Sequence, residues 1–291
     1  MFAFVFNLIR PVLALILLAP VTTMSSPAPD GAVSIADSPE PFVLEVLGGS
    51  GDPVEKGYLV FAEVDRRNNG YGDLQVNLKM VLIGARGRRT ERALRIQQLE
   101  GTDDGDKILV VFDVPASIRG TALLSHAHIA RDDDQWLFLP ALKRTKKIAS
   151  RNKTGPFVGS EFAFEDLSPQ ELHKYDYAYV GEDTVAGQPC FVVDRFPKDN
   201  HSGYSRQRVW LDQAHLRTLR IDFFDRSERP SKQLTVTDYE RFVGQYWKPG
   251  FMRMENLRTG KRTELHWIDY EFGLGFDEDR DFSVNSLRRA R

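Results

Sequence analysis

Cysteine is almost absent from this chain, since Cys190 is the only one among 291 residues. A single cysteine excludes an intramolecular disulfide, and its distance from the N-terminus excludes a thiol acylated next to a signal, as in a lipoprotein. The neighbouring residues, Cys-Phe-Val-Val, are typical of a strand buried in a core. We therefore expect a buried free cysteine in a protein that is not itself a lipoprotein.

An excess of charge of one sign is also missing. Lysine and arginine number 39 against 41 acidic residues, which gives a formal net charge of −2. No overall basic field is available to hold a phosphate backbone, so nucleic acid is not expected as a partner. The 42% of hydrophobic residues and 27% of charged residues are normal for a globular protein with a sizeable core.

Recognisable catalytic motifs are lacking too. The chain contains no G-x-S-x-G, H-E-x-x-H, P-loop or C-x-x-C pattern. His126 and His128 would share one face of a strand, as two zinc ligands do, but the spacing signals no third or fourth ligand. Two polar residues on a solvent face are the alternative. We expect no metal, no cofactor and no enzyme.

Three groups of acidic residues invite a catalytic or calcium-binding interpretation. The aspartates within 103–106 and those at 132–134 each lie between two strand-like runs, where Asp is favoured because it accepts turn geometry. Glu161, Glu165 and Asp166 could supply an acid and a base, but nothing positions a nucleophile beside them. Turns and solvated surface are the preferred interpretation.

The N-terminus has the pattern of an export signal. Residues 1–21 are apolar except for Asn7 and Arg10, and residues 12–21 have the length of a signal-peptide h-region. A Pro-, Ser- and Ala-rich linker follows to about residue 41. We assign 1–30 to the signal and the start of the linker, and 31–291 to one domain in the periplasm. Retention of the segment as a membrane anchor is the alternative.

The first regular element that the sequence predicts is a helix. Asp52 has the character of an N-cap, Pro53 of a first helical residue and Glu55 of a capping-box acid, and the pattern stops at Asn68. Apolar residues recur along one face at helical spacing. The helix is therefore expected to cover an apolar surface.

Beyond Gly72 apolar and polar residues alternate, which indicates strands. Short turns separate most segments, and no long helices intervene, so an antiparallel meander is favoured over βαβ units. A sheet of about ten to twelve strands must curl or close, giving a barrel or half-barrel with a helix across its mouth. The predicted strand segments are 74–82, 90–99, 107–114, 121–130, 135–148, 175–180, 189–196, 206–211, 216–224, 232–243, 251–258 and 262–272.

One long stretch without strand character interrupts the meander. It covers residues 151–174 and contains a Ser-Pro-Gln-Glu capping box at 168–171 that predicts a short helix. This stretch is the natural place for a lid or plug.

Aromatic residues, 19 Phe, 9 Tyr and 4 Trp, are concentrated in the predicted β part. Both faces of the strand within 136–142 are apolar, so this strand either is a central core strand or lines a cavity on one side. Tyr175, Tyr177 and Tyr179 share one strand face, and their hydroxyl-bearing rings suit a cavity rim.

The strongest local charge feature is basic. It is interpreted either as a solvated face or as a contact with anionic lipid head groups or an acidic partner protein. Its members are Lys143, Arg144, Lys146 and Lys147.

A pair of motifs points to a family. Residues 136–144, WLFLPALKR, are followed by GSEFAFEDL at 159–167. The order of the parts agrees as well, from the export signal through the opening helix and strands to these motifs, and the shared features beyond the signal cover roughly residues 50–285. In these features the chain resembles the LolA-like outer membrane lipoprotein-sorting proteins, a group of exported bacterial proteins. The resemblance implies an unclosed antiparallel β-barrel, or half-barrel, of about ten to twelve strands, with a few helices as a lid over a hydrophobic cavity.

The resemblance also implies a function. A protein of this group would be a periplasmic carrier or chaperone that binds lipid or lipoprotein acyl chains for transfer towards the outer membrane, working with an inner-membrane RND/MMPL-type exporter and contacting the membrane transiently. A sensor or regulator of the same fold is the alternative, and a hydrolase on a β scaffold is a third. The side chains expected to line or cap the cavity are Trp136, Phe138, Phe162, Phe164 and Trp210.

Overall fold

The computed structural model of the chain describes residues 51–169 and 171–289. The export signal, its cleavage site and the linker predicted for residues 1–41 lie outside the described residues. Within the described part, no helix has the length and apolarity needed to cross a membrane.

The N-terminal helix forms where the sequence predicts it. Helix α1 (Pro53–Asn68) begins after Asp52, whose carboxylate accepts a hydrogen bond of 2.9 Å from the backbone N–H of Val54. This bond satisfies one of the N–H groups that a helix start leaves without a partner. The predicted start and end of the helix are confirmed.

In the described part of the chain fifteen strands follow, and thirteen of them form one antiparallel sheet. Their bounds are β1 (Asp73–Ile83), β2 (Arg89–Leu99), β3 (Lys107–Val114), β4 (Ala122–His126), β5 (Asp134–Leu139), β6 (Arg144–Ile148), β7 (Tyr175–Val185), β8 (Gln188–Pro197), β9 (Tyr204–Asp212), β10 (Thr218–Asp225), β11 (Pro230–Thr237), β12 (Glu240–Phe242), β13 (Tyr246–Lys248), β14 (Phe251–Asn256) and β15 (Arg262–Phe272).

The order of strands shows how the chain builds this sheet. Strands β1 to β6 run as a meander to one edge, and β7 to β11, β14 and β15 form a second meander from the other edge back to β1. The two meanders meet where β1 pairs with β15, from Leu74 opposite Phe272 to Ile83 opposite Arg262. Among residues 51–169 and 171–289 no strand pairs with the outer side of β6 or of β7, so the sheet is an open half-barrel, as expected.

The sheet has thirteen strands, more than the ten to twelve expected, because a turn divides one predicted segment into two strands of the sheet. A turn in a second segment instead separates its end from the sheet. Segment 135–148 divides into β5 and β6 at a 3-10 turn that begins with Pro140 and ends at Lys143, whose φ is 48°. Segment 232–243 divides near Asp238, with a φ of 57°. Residues beyond that point form the separate hairpin of β12 and β13.

The main hydrophobic core lies on one face of the sheet, which we call the inner face. Leu74, Val76 and Leu78 of β1 alternate onto it and are each at most 3% exposed. Helix α1 covers part of this face, where the ring of Phe61 stacks on Tyr177 with 4.7 Å between centroids. Burying a side chain of this size contributes about 1.5–3 kcal/mol.

The opposite, outer face is covered in two places. At one, Phe282 and Leu287 near the C-terminus are fully buried against β3 and β4. They follow the one-turn helix α2 (Glu278–Asp281). Asp73 fixes this segment, because its carboxylate accepts hydrogen bonds from the backbone N–H groups of residues 274–276 at 2.6–3.1 Å.

The second outer cluster contains the cysteine. Cys190 is fully buried with Val192, Trp210 and Leu219. Burial raises the pKa of its thiol to about 11. The prediction of a buried free cysteine in a strand is confirmed.

The contact between α1 and β7 depends on a glycine. A Cβ atom at Gly57 would lie 2.8–2.9 Å from backbone atoms of Ala178 and Tyr179, which have no freedom to move aside. Gly57→Ala should therefore destabilise the protein by about 1–3 kcal/mol through overpacking, although alanine is the better helix former. Urea unfolding measures the effect. Gly51→Ala is the matched control, because a Cβ there meets nothing within 4 Å; equal stability of the two variants would contradict the predicted clash.

Candidate ligand-binding cavity

The segment between the two edge strands crosses the open face of the sheet. We call residues 149–174 the crossover segment. Its described residues contain 3-10 turns and an isolated bridge between Pro156 and Ala163, but no strand. Phe157 is fully buried against the inner face and stacks on Phe112 at 5.5 Å. The stretch predicted as a lid or plug therefore does cover the sheet.

The short helix predicted from the capping box is a 3-10 turn instead. It spans Leu172–Lys174, and no side chain caps it. Residue 170 of the capping box lies outside the described residues.

Polar contacts hold the crossover segment on the sheet. Gln135 of β5 is fully buried, and its amide donates to the backbone carbonyl of Phe164 and to the hydroxyl of Ser168 at 2.9 and 3.2 Å. Arg92 of β2 donates to the backbone carbonyl of Val158 at 2.6 Å. These two side chains tie the segment to the first meander without strand pairing.

Between the crossover segment and the inner face lies a cavity of about 550 Å³. Its floor is apolar and is formed by residues of six strands. Within each strand, every second residue points to this face. The apolar side chains that line it are Ile96, Ile108, Val110, Ile221, Phe223, Leu234, Met252, Met254, Leu265 and Trp267, with Phe162 and Leu167 from the crossover segment.

The wall of the cavity at the crossover segment is charged. Lys174 pairs with the carboxylate of Asp133, and Lys153 donates to the backbone carbonyl of the same residue at 2.8 Å. Asp166 accepts a hydrogen bond of 2.9 Å from the hydroxyl of Tyr204, and its other oxygen lies 3.5 Å from the Nζ of Lys232. The cavity is therefore amphipathic, with an apolar floor and an ionic rim.

Glu165 anchors the crossover segment to the loop between β8 and β9. Its two oxygens accept hydrogen bonds from the hydroxyl of Ser202 at 2.8 Å and the backbone N–H of Gly203 at 3.0 Å. Burial raises the pKa of its carboxyl to about 7, and the charge of Asp166 acts in the same direction, against the hydrogen bond from Ser202. Glu165 is thus a titratable contact between a covering segment and the sheet.

A second charged group enters the cavity from the sheet. Arg195 lies on the inner face of β8 and is 8% exposed. Its Nε donates to the side-chain oxygen of Gln207 at 2.6 Å, and its guanidinium lies 4.9 Å from the ring centre of Tyr175. Sequence analysis did not single out this arginine, since nothing in the strand pattern marks its surroundings.

The five aromatic residues expected at the cavity are divided between the two faces. Phe162 lines the cavity, and Phe164 packs against the inner core beside Phe157. Trp136 and Phe138 lie on the outer face, in the cluster with Phe282 and Leu287. Trp210 is also on the outer face, where its indole N–H donates to Asp183 at 2.9 Å.

Alternation along β5 explains where the structure departs from this expectation. Gln135 and Leu137 take the inner face, so Trp136 and Phe138 necessarily point outwards. Both faces are apolar here because the C-terminal segment covers the outer one. The strand pattern alone indicated that both faces of β5 are apolar, but it did not show which segment covers each face.

The predicted basic run lies on the edge strand β6 and the turn before it. All four residues, Lys143, Arg144, Lys146 and Lys147, are exposed, and Lys147 in addition pairs with Asp134 at 2.5 Å and lies over the ring of Trp136. Lysines on an edge strand discourage pairing with a second chain. The run is therefore available at the surface, and its contact with lipid or a partner stays a prediction.

The histidines and tyrosines have structural contacts. His126 Nε2 lies 2.7 Å from the backbone carbonyl of Phe282, and His128 Nδ1 lies 2.5 Å from Asp104. No cluster of three His, Cys, Asp or Glu suited to a metal occurs in residues 51–169 and 171–289. Of the three tyrosines, Tyr175 lines the cavity, Tyr177 is buried under α1, and Tyr179 is partly buried against the inner core.

Comparisons with known proteins agree with this architecture. A family model described as an uncharacterized protein matches residues 104–289. The structure of an outer membrane lipoprotein-sorting protein domain from Vibrio parahaemolyticus is 45% identical with a TM-score of 0.79, covering 81% of this chain and 100% of that one. A DUF1329 family protein from Desulfovibrio piger ATCC 29098 is 30% identical with a TM-score of 0.76, covering 81% and 99%.

A more distant structure shares the fold. A LolA superfamily protein from Nitrosomonas europaea is 19% identical with a TM-score of 0.63, and the match covers 79% of this chain and 98% of that one. No curated protein matches the chain.

The raised pKa of Glu165 predicts a pH dependence of stability. The folded state favours the protonated carboxyl, so the contribution of this group to stability is complete below its ordinary pKa of 4.5 and is lost as the pH rises through about 7. Between pH 5 and pH 8 the free energy of unfolding of the wild type should fall by on the order of 1–3 kcal/mol more than that of Glu165→Gln, as measured by urea unfolding. Glu161→Gln, in the same segment, should keep the wild-type dependence. Parallel curves for the wild type and the Glu165 variant would show that this carboxyl does not titrate in that range.

Proposed function

The chain belongs to the family of outer membrane lipoprotein-sorting proteins with the LolA-like fold, and from this membership we propose that it is a periplasmic carrier of acylated cargo. The cargo would be a lipid or a lipoprotein, and its acyl chain would occupy the cavity between the crossover segment and the inner face. The observation that carries the proposal is the apolar floor of a cavity that is already formed in the folded chain.

The size of the cavity supports an acyl ligand. A volume of about 550 Å³ lies within the range of roughly 300–1,000 Å³ that is typical of small-molecule sites, so an acyl chain has room. Removing a methylene from water is worth about 0.8 kcal/mol, so a long acyl chain would be held firmly without a catalytic step.

The attachment of the crossover segment supports release as well as binding. Its hydrogen bonds to Gln135, Ser202 and Gly203 involve side chains, and none of the thirteen sheet strands pairs with it. The segment could therefore lift from the inner face while the strand ladder stays intact. Movement of a lid is a common way to admit and release a ligand.

The transfer route is part of the proposal. The domain, residues 31–291, would be exported to the periplasm, receive cargo at the inner membrane from an RND/MMPL-type exporter, and pass it towards the outer membrane. The exposed basic run on β6 would make the transient contact with an anionic surface. We propose binding and not catalysis because the acid with a raised pKa in the cavity, Glu165, has a structural role. Its carboxylate accepts hydrogen bonds from Ser202 and Gly203.

The direct test is native mass spectrometry of the mature protein purified from its own periplasm, followed by organic extraction. We expect a stoichiometric acyl species, because the apolar cavity would otherwise be filled with water. An empty protein in repeated preparations would contradict the carrier function and favour a sensor or regulator of the same fold.

Filling the cavity should abolish binding. Leu234 lines the floor, so Leu234→Trp places a larger side chain in the space for the acyl chain and should weaken binding of a C16 fatty acid at least tenfold in a fluorescence displacement assay. Phe138→Trp makes a similar change on the outer face and is the control. Loss of binding in the control alone would instead place the ligand on the outer face, beside Trp136 and Phe138, which the sequence analysis expected at the cavity.

The basic run should govern the rate of transfer to membranes. The double variant Lys143→Glu and Lys146→Glu reverses two exposed charges without touching Lys147, which is bonded to Asp134. Transfer of a fluorescent fatty acid to vesicles with anionic lipid should slow severalfold at low salt, and the difference should shrink at high salt, where charges are screened. Arg86→Glu with Arg88→Glu, at the exposed β1–β2 turn, is the matched control. Equal transfer rates for the two double variants would contradict a membrane contact and leave the run the role of preventing β6 from pairing with a second chain.

A further inference from the structure

The charge of Arg195 is buried without a carboxylate to balance it. The side chain is 8% exposed, and no aspartate or glutamate in the described part of the chain forms an ion pair with it. Asp194, the next residue on the strand, points to the outer face, where it pairs with Arg206 and Arg208 at 2.7 Å. The inner face therefore holds an arginine whose natural counter-ion lies on the other side of the sheet.

The hydrogen bonds of Arg195 are also incomplete. A guanidinium has five N–H donors and stays charged in proteins. Within residues 51–169 and 171–289 only its Nε has an acceptor, the side-chain oxygen of Gln207 at 2.6 Å. The rings of Tyr175 and Phe61, at 4.9 and 5.8 Å, stabilise the cation in part. A buried charge of this kind is costly unless a partner arrives.

The carboxylates that share the cavity are already engaged. Asp133 pairs with Lys174, Asp166 contacts Lys232 and the hydroxyl of Tyr204, and Glu165 accepts hydrogen bonds from the loop after β8. The other two, Asp132 and Asp199, accept hydrogen bonds from the hydroxyl of Ser150 and the backbone N–H of His201. The two terminal nitrogens of the Arg195 guanidinium are thus left for a ligand that enters the cavity. The same cavity is lined by Ile221 and Phe223, so a head at Arg195 and a tail on the floor would belong to one molecule.

We propose that the cargo is an amphiphile with one acyl chain and an anionic head group, a carboxylate or a phosphate, and that Arg195 binds this head group. The planar fork of arginine matches both anions with paired hydrogen bonds. This inference rests on the proposed carrier function and adds the charge of the head group and the number of chains. Gln207 has a positioning role, since its oxygen fixes the Nε side of the fork.

The first experiment varies the ligand and leaves the protein unchanged. Isothermal titration of the wild-type protein compares palmitate, 1-palmitoyl-lysophosphatidic acid and neutral 1-palmitoylglycerol, each below its micellar concentration. Either anion should bind roughly 10- to 100-fold more tightly than the neutral compound, as expected for charge-assisted hydrogen bonds. Which of the two anions binds more tightly distinguishes a carboxylate head from a phosphate head.

The outcomes separate this inference from the proposed function. Equal affinity for the charged and neutral compounds would overturn the role of Arg195 and leave an acyl carrier. Absence of binding for all three compounds would overturn both.

The second experiment varies the arginine. Arg195→Gln should lose the preference for anions while keeping its affinity for 1-palmitoylglycerol. Arg195→Lys keeps the positive charge but not the paired donors of the guanidinium, so it should keep part of the preference for anions. Arg206→Gln is the matched control, because Arg206 also stacks on an aromatic ring, Phe224 at 3.9 Å, but lies outside the cavity. Full preference for anions in a folded Arg195→Gln would overturn the inference. Should that variant not fold, the lysine variant and the wild-type ligand series decide.

Discussion

One constraint governs this molecule: a thirteen-stranded antiparallel sheet that does not close has a large apolar face that must be covered by something other than strands. A closed barrel would cover that face with itself. Here helix α1, the crossover segment and the loops between strands share the task. Three separate covers meet imperfectly over a curved sheet, and the cavity is the space that they leave.

The same constraint explains why the covers are held by polar bonds. The crossover segment begins after edge strand β6 and ends before edge strand β7, so it passes over the face between them, and its described residues pair with no strand of the sheet. Its backbone groups are satisfied by local turns and by side chains from the sheet, such as Arg92 and Gln135. Bonds of this kind contribute about 1 kcal/mol each, which is enough to hold a lid and little enough to let it open.

Much of this fold is predictable from the sequence, because period-two alternation and capping residues act locally. Helix α1 begins after Asp52 as its capping residues indicate, and the long stretch without strands is the cover. The face to which each strand residue points was not predictable. Trp136 and Phe138 look the same in the sequence whether they line a cavity or lie under Phe282, more than 140 residues away. Arg195 was missed for the same reason, since its isolation depends on Asp194 turning to the opposite face.

The carboxyl of Glu165 and the permanently charged Arg195 are coupled through the proposed ligand. Glu165 and Arg195 line the same cavity, and both influence the pKa of Tyr175, which lies between the crossover segment and β8. An anionic head group at Arg195 would add a like charge near Glu165 and favour its protonated form, and by reciprocity protonation of Glu165 would favour the anion. Neutral Glu165 is also the form that the folded, covered state prefers. A bound anion and a closed crossover segment would therefore support each other, whereas rising pH would weaken both, which gives a carrier a physical reason to hold its cargo in one environment and to release it in another.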